Sequence, residues 1–170
     1  MKIEHLEERV LDYKNSIKVV VEKRIMWKTT TKDLIISVLK KAESTYAIGW
    51  QVQELNWIHS NEAVNITFDS FPPDMIELTN HLPTYQFLQG GSLVFSQLHN
   101  GDISVLIVFP ILENAMPIED DTEDLGTYSP EDINEKLIVE KLDVFLKEII
   151  KRDVPPLSKR MGFSKEKNYS

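Results

Sequence analysis

Four histidines, His5, His59, His81 and His99, are the first residues to test for chemistry. None falls in an HExxH pattern, and no two have the spacing that puts both imidazoles on one helical face towards a metal. Only long-range folding could bring His59, His81 or His99 to Asp69 or Asp102, and histidines in polar turns are more often surface residues. His99 and Asp102 flank an Asn-Gly pair, but an oriented base needs a nucleophile beside it and none is evident. The chain has no Cys, which removes disulfides, thiolate metal sites and Cys nucleophiles. Gly90-Gly91-Ser92 lacks a following Lys and leads into a β-rich run, so no helix dipole would meet a phosphate there. Carboxylates are abundant, but they crowd into polar sequence, whereas a catalytic carboxylate needs a desolvated or coupled setting. The acids after Asp120 are out of step with a Ca²⁺ loop and have no Glu in its twelfth position. No catalytic residue, metal ligand or cofactor site is therefore assigned.

The charge distribution is more informative. From Ala42 to Glu135, 94 residues contain 16 acids and no Lys or Arg, while all 19 bases lie in the two ends, 10 before and 9 after. Phosphate contacts need Lys and Arg, so the middle of the chain is excluded as a nucleic-acid surface. Anionic substrates are poor candidates for the same reason. The densest acid block is Glu119, Asp120, Asp121, Glu123 and Asp124, and such a block repels itself and is expected to be a solvated loop. The last residues, 155–170, are basic, with Lys159 and Arg160 among them, and form either a frayed terminus or an arm that docks on a partner or on the acids.

The elements that must carry these residues follow from periodicity. Ile3, Leu6, Val10, Tyr13, Ile17 and Val20 alternate by three and four, one apolar stripe on a helix. The same register continues through Arg24, Trp27, Thr31, Leu34 and Val38. Thr29 to Thr31 mark a break, so the helix is kinked or continuous near 29–31. This stripe fits a helix laid across its own sheet; the alternative is a dimer seam. From Trp50 the period becomes two. A strand over Trp50 to Ile58, with a switch of face between Val52 and Leu55 that suggests a bulge, returns over Ala63 to Phe71. Ser92 to Leu98 and Ile103 to Leu112 surround Asn100-Gly101, the signature of a type I′ hairpin. The second of these strands is apolar on both faces and is expected to be central. Tyr85 and Phe87 alternate as a short edge strand would. Glu113 to Ser129 reads as loop, and Ser129-Pro130-Glu131-Asp132 as a helix start that continues to about Lys151.

The sum is an α+β domain over residues 1–154. A four- or five-stranded antiparallel sheet is built from two hairpins, and the long N-terminal and C-terminal helices pack together on one face. In outline, over the whole chain and without a shared motif, this order resembles the type III secretion chaperones, which implies a small acidic protein that works by binding. The N-terminus is charged and lacks an apolar h-region, so a secretory signal is not expected. The longest apolar run falls well short of the ~20 residues that cross a bilayer, so no membrane contact is expected and the cytoplasm is the expected compartment. The function expected from these features is a non-catalytic binding or adaptor protein, chaperone-, inhibitor- or immunity-like. It would engage a basic protein partner through its acidic sheet and loop. Two other readings compete. One is an enzyme or ligand carrier with a pocket lined by Trp27, Trp50, Trp57, Tyr85 and Phe87. The other is a structural subunit of a homo-oligomer.

Overall fold

The structure, a computed structural model, describes residues 2–56, 61–79, 90–110 and 122–153. Helix dominates the N-terminal third. A 3-10 turn at Ile3–Leu6 leads into α1 (Glu7–Met26), a π turn (Trp27–Thr31) and α2 (Lys32–Thr45) without interruption. The π turn explains the threonines. The Thr29 hydroxyl donates to the Ile25 carbonyl at 2.8 Å, and a side chain bonded to that carbonyl competes with the helical ladder. A π turn absorbs one extra residue, so everything after it rotates relative to an unbroken helix. The unbroken register puts Leu34 and Val38 inward; the residues fully buried are Ile35 and Leu39, with Leu34 and Val38 half-buried beside them.

Five strands form one antiparallel meander in the order β1 (Trp50–Asn56), β2 (Glu62–Phe68), β3 (Ser92–Gln97), β4 (Ile103–Val108) and β5 (Thr122–Tyr128). Register and pleat together put Val64, Ile66, Leu93, Phe95, Val105 and Ile107 on one face, where all are buried. α2 and α4 (Glu135–Asp153) lie on that face and touch each other. Phe68 links sheet to helix, with its ring 5.8 Å from Trp50 and 5.6 Å from Phe145. The opposite face carries Gln51, Gln53, Thr67, Ser92, Ser96 and Ser104 around the buried Ala63, Asn65 and Val94. A short helix, α3 (Ile76–Thr79), follows Pro72-Pro73. The α+β class, the five antiparallel strands and the long bent N-terminal helix agree with the sequence reading.

Several local expectations are corrected. The segment expected to be loop between Glu113 and Ser129 contains β5, the last strand of the sheet order, with Asp124 exposed and Glu123 half-buried opposite Ile107. Its register with β4 shifts between Ser104 and Leu106. That is where the irregularity lies, for the β1–β2 ladder runs unbroken from Trp50 opposite Phe68 to Asn56 opposite Glu62. Leu55 simply occupies the other face from Val52. The β3–β4 connection is a three-residue loop, His99-Asn100-Gly101, closed by hydrogen bonds from Leu98 N–H to Asp102 O (2.8 Å) and from Gly101 N–H to Leu98 O (3.0 Å). A single residue in the left-handed region then suffices, and Gly101 supplies it with φ 88°. Asp102 therefore sits opposite Leu98, not His99. Ser129-Pro130 opens only a 3-10 turn, Pro130–Asp132. Ile133 is extended there, and α4 starts at Glu135 with Asn134 as its cap: the Asn134 Oδ1 accepts from the Leu137 N–H at 2.9 Å.

The largest departure is α1. Not one of its residues is buried, and Ile3, Leu6, Val10, Tyr13 and Ile17 are all exposed. The stripe does not lie across the sheet. The expected strand near Tyr85 and Phe87 and the basic tail lie outside the described residues.

Candidate functional site

Three places bring chemistry-bearing side chains together. The first is where the helix meets the β3–β4 hairpin tip. Lys23 Nζ lies 2.7 Å from Asp102 Oδ1, and Arg24 Nη2 donates to the His99 carbonyl at 2.7 Å. Asn100 braces the turn, its Oδ1 accepting from Asp102 N–H at 3.0 Å and its Nδ2 donating to Asp102 Oδ2 at 3.2 Å. Asp102 is thus committed to a lysine and an asparagine, and His99 is exposed. This pairing anchors a helix and leaves no oriented acid–base couple.

The second is a cluster under the π turn. The buried Trp27 indole donates Nε1–H to Glu62 Oε2 at 3.0 Å, and Lys32 Nζ sits 3.2 Å from the same oxygen and 3.5 Å from Glu54. The Trp27 hydrogen bond holds the Glu62 carboxyl below its usual range; burial opposes this and Lys32 reinforces it. Burial works against the Lys32 ammonium, but the Glu62 hydrogen bond and the charges of Glu62 and Glu54 outweigh it and hold Lys32 above its usual range. Trp27 and Trp50 are core residues, the latter donating Nε1–H to the Tyr46 carbonyl at 2.7 Å. Trp57, Tyr85 and Phe87, the other residues of the expected aromatic pocket, lie outside the described residues.

The third is the end of the sheet at β5. Of the acids singled out in the sequence, Glu119, Asp120 and Asp121 lie outside the described residues, as do Lys159 and Arg160. Glu123 is half-buried and Asp124 exposed on β5. Asp124 Oδ1 accepts from Gly126 N–H at 2.8 Å, shaping the strand locally. The exposed Glu131, Asp132 and Glu135 follow at the turn and the start of α4. None of these five acids forms an ion pair among the described residues. Lys151 is raised first by its 2.8 Å bond to Glu148 and by that carboxylate's charge, with a smaller contribution from Glu123. Glu131 and Asp132 are read from the sequence as helix-start charges, and Glu135 as the last residue of the stretch without Lys or Arg. Nearby, Tyr128, Asp132, Asn134, Leu137 and Glu140 line a shallow open dent with Lys136.

Among the described residues no group of three or more His, Asp or Glu could hold a metal ion, and no helix is long and apolar enough to cross a membrane. Comparison of the chain with protein-family models, with curated proteins and with solved structures finds no match in any of the three.

Proposed function

We propose that this chain is a non-catalytic binding or adaptor protein that takes a basic protein segment at the β5 end of its sheet. The observation that carries the reading is the combination at that end. β5 is the last strand in the sheet order; Asp124 is exposed on it and Glu131, Asp132 and Glu135 are exposed beyond its C-terminal end, none of them in an ion pair among the described residues. The acidic surface is narrower than the whole Lys/Arg-free stretch, because Lys23 and Lys32 reach across to Asp102, Glu54 and Glu62. A terminal strand offers backbone donors and acceptors to an incoming extended segment. The acids select a segment rich in Lys or Arg and speed its arrival.

An alternating Lys-Val peptide, titrated by calorimetry at low and at physiological salt, tests this. Binding that weakens with salt, and that weakens at least about tenfold in a Glu123→Gln/Asp124→Asn/Glu131→Gln/Asp132→Asn variant of unchanged circular dichroism, supports it. No binding, or equal binding by the variant, overturns it.

A further inference from the structure

The stripe on α1 has the composition of an interface and lacks a cover. Its residues Ile3, Leu6, Val10, Tyr13 and Ile17 are between 45% and 78% exposed. They occupy the alternating core positions of two and a half heptads. The same stripe is covered further along. At Val20 to Trp27 the β3–β4 hairpin tip lies against it, so closely that a Cβ on Gly101 would stand 2.6 Å from Lys23 Cβ and 3.2 Å from the Val20 carbonyl. Beyond the tip, Trp27 and Thr31 turn into the core. The bare part is therefore the continuation of a buried face, and it ends where the hairpin begins. It is also a poor candidate for a lone helix. Val10, Ile17, Val19, Val20 and Val21 are β-branched residues of low helix propensity, and a helix of this length without tertiary contacts is marginal in water.

We propose that a second copy of this chain covers the stripe as an antiparallel two-helix coiled coil over Ile3 to Val20. The register follows from the residues. Ile3 faces Val20 of the second copy, Leu6 faces Ile17, and Val10 faces Tyr13, each contact occurring twice by symmetry. The overlap spans about 27 Å and stops at both ends against a hairpin tip, so the two sheets sit at opposite ends without collision. The flanking charges select the direction. In this register Glu7 faces Lys14 of the other copy, twice. Arg9 faces the neutral Ser16, and Lys2 comes opposite Lys23, whose charge is met by Asp102 at 2.7 Å. A parallel pair would set Lys2 against Glu7 twice but also Arg9 against Lys14 twice, a like-charge contact that cancels the gain. The five stripe residues offer on the order of 500 Å² per copy, and the flanking Glu7, Arg9, Lys14, Ser16 and Val21 bring this towards the ~800 Å² per partner of a standard interface. A dimer of micromolar affinity is the expected strength.

Sedimentation equilibrium of the full chain across the micromolar range tests the pairing, with hydrogen exchange of α1 amides on the same samples. The expected result is a monomer–dimer equilibrium in which exchange over residues 7–19 slows as concentration rises. Val10→Asp should abolish it while leaving the β-sheet circular dichroism intact. Lys14→Glu reads the direction. In the antiparallel pair it sets like charges against Glu7 and weakens association several-fold, and the added change Glu7→Lys restores it. Strengthening by Lys14→Glu would mean a parallel pair and would overturn the register. A monomer throughout, whether α1 exchanges freely or is protected at every dilution by another part of the same chain, overturns the proposal. All these changes lie outside β5, so basic-peptide binding is read separately.

Discussion

Gly101 shows how much a single residue constrains. Its φ of 88° is a conformation that side chains with a Cβ rarely adopt, and the space its Cβ would need is taken by Lys23 and the Val20 carbonyl. Gly101→Ala should therefore cost about 1–3 kcal/mol in urea unfolding. An effect under half that would mean the hairpin tip can move away from the helix freely. Glu62 constrains through charge. The Trp27 indole is buried and its N–H needs that acceptor, so Glu62→Ala should destabilise by about 1–3 kcal/mol, more than Glu62→Gln, which keeps an acceptor. The pH dependence has a fixed sign. The folded carboxyl is held below its usual value of 4.5, so its contribution is complete above that value and is lost as pH falls through the lower folded one. Lys32 is raised above 10.5, so its contribution is complete below that value and disappears as pH rises through the folded one. Stability of the wild type and of Glu62→Gln, followed by denaturant titration, should differ at neutral pH and converge on the acid side. A gap that persists to strongly acidic pH would show that the carboxylate's charge is not its cause.

Among the elements, the π turn separates what periodicity can tell from what it cannot. The stripe from Ile3 to Val20 and the pleat of Val64, Ile66 and Phe68 are local, and they indicated helix and strand directly. Thr29 to Thr31 marked the break. The one-residue phase shift that buries Ile35 and Leu39 in place of Leu34 and Val38 left no trace, because all four are apolar. β5 was hidden for a related reason. A terminal strand can carry acids at its rim, Asp124 exposed on one face and Glu123 half-buried on the other opposite Ile107, so Glu123-Asp124 looked like a loop. If the π turn is an absorbed residue, removing one should be tolerated. Deleting Thr30, whose side chain is exposed, should leave Trp27, Thr31, Ile35 and Leu39 on one face of a plain α-helix, with the melting temperature within a few degrees of wild type. Deleting Ser37 rotates Leu39 and all that follows by about 100° and should unfold the domain. Equal damage from both deletions would mean the wide turn itself is required.

At the scale of the molecule, charge and cover are rearranged by folding in ways the linear order does not contain. The segregation of bases to the ends breaks down at β1, β2 and the hairpin tip, where the helix that crosses there carries Lys23 and Lys32 to the acids, and in part at β5, where Lys141 lies over the Tyr128 ring and Lys151 feels the charge of Glu123. A heptad stripe states that something covers it without stating what. That is why the same sequence fitted a helix on its own sheet and a dimer seam, and the long-range contact of Gly101 with Val20 and Lys23 divides the two along one helix. Among the described residues, the ties between helix and sheet lie from Val20 onward: the Lys23–Asp102 pair, the Arg24 bond to His99 and the burial of Trp27. Residues 2–16 contain nothing buried, so they form an arm that the folded head does not need. A chain lacking residues 2–16 should keep the far-UV signature of the sheet. At high dilution its unfolding free energy should lie within about 1 kcal/mol of the full chain, the range of surface changes. Raising the concentration should then separate the two. The full chain gains stability by mass action if its arm pairs, and the shortened chain stays where it was. A deficit of several kcal/mol already present at the lowest concentration would show that the arm folds back on the head it comes from.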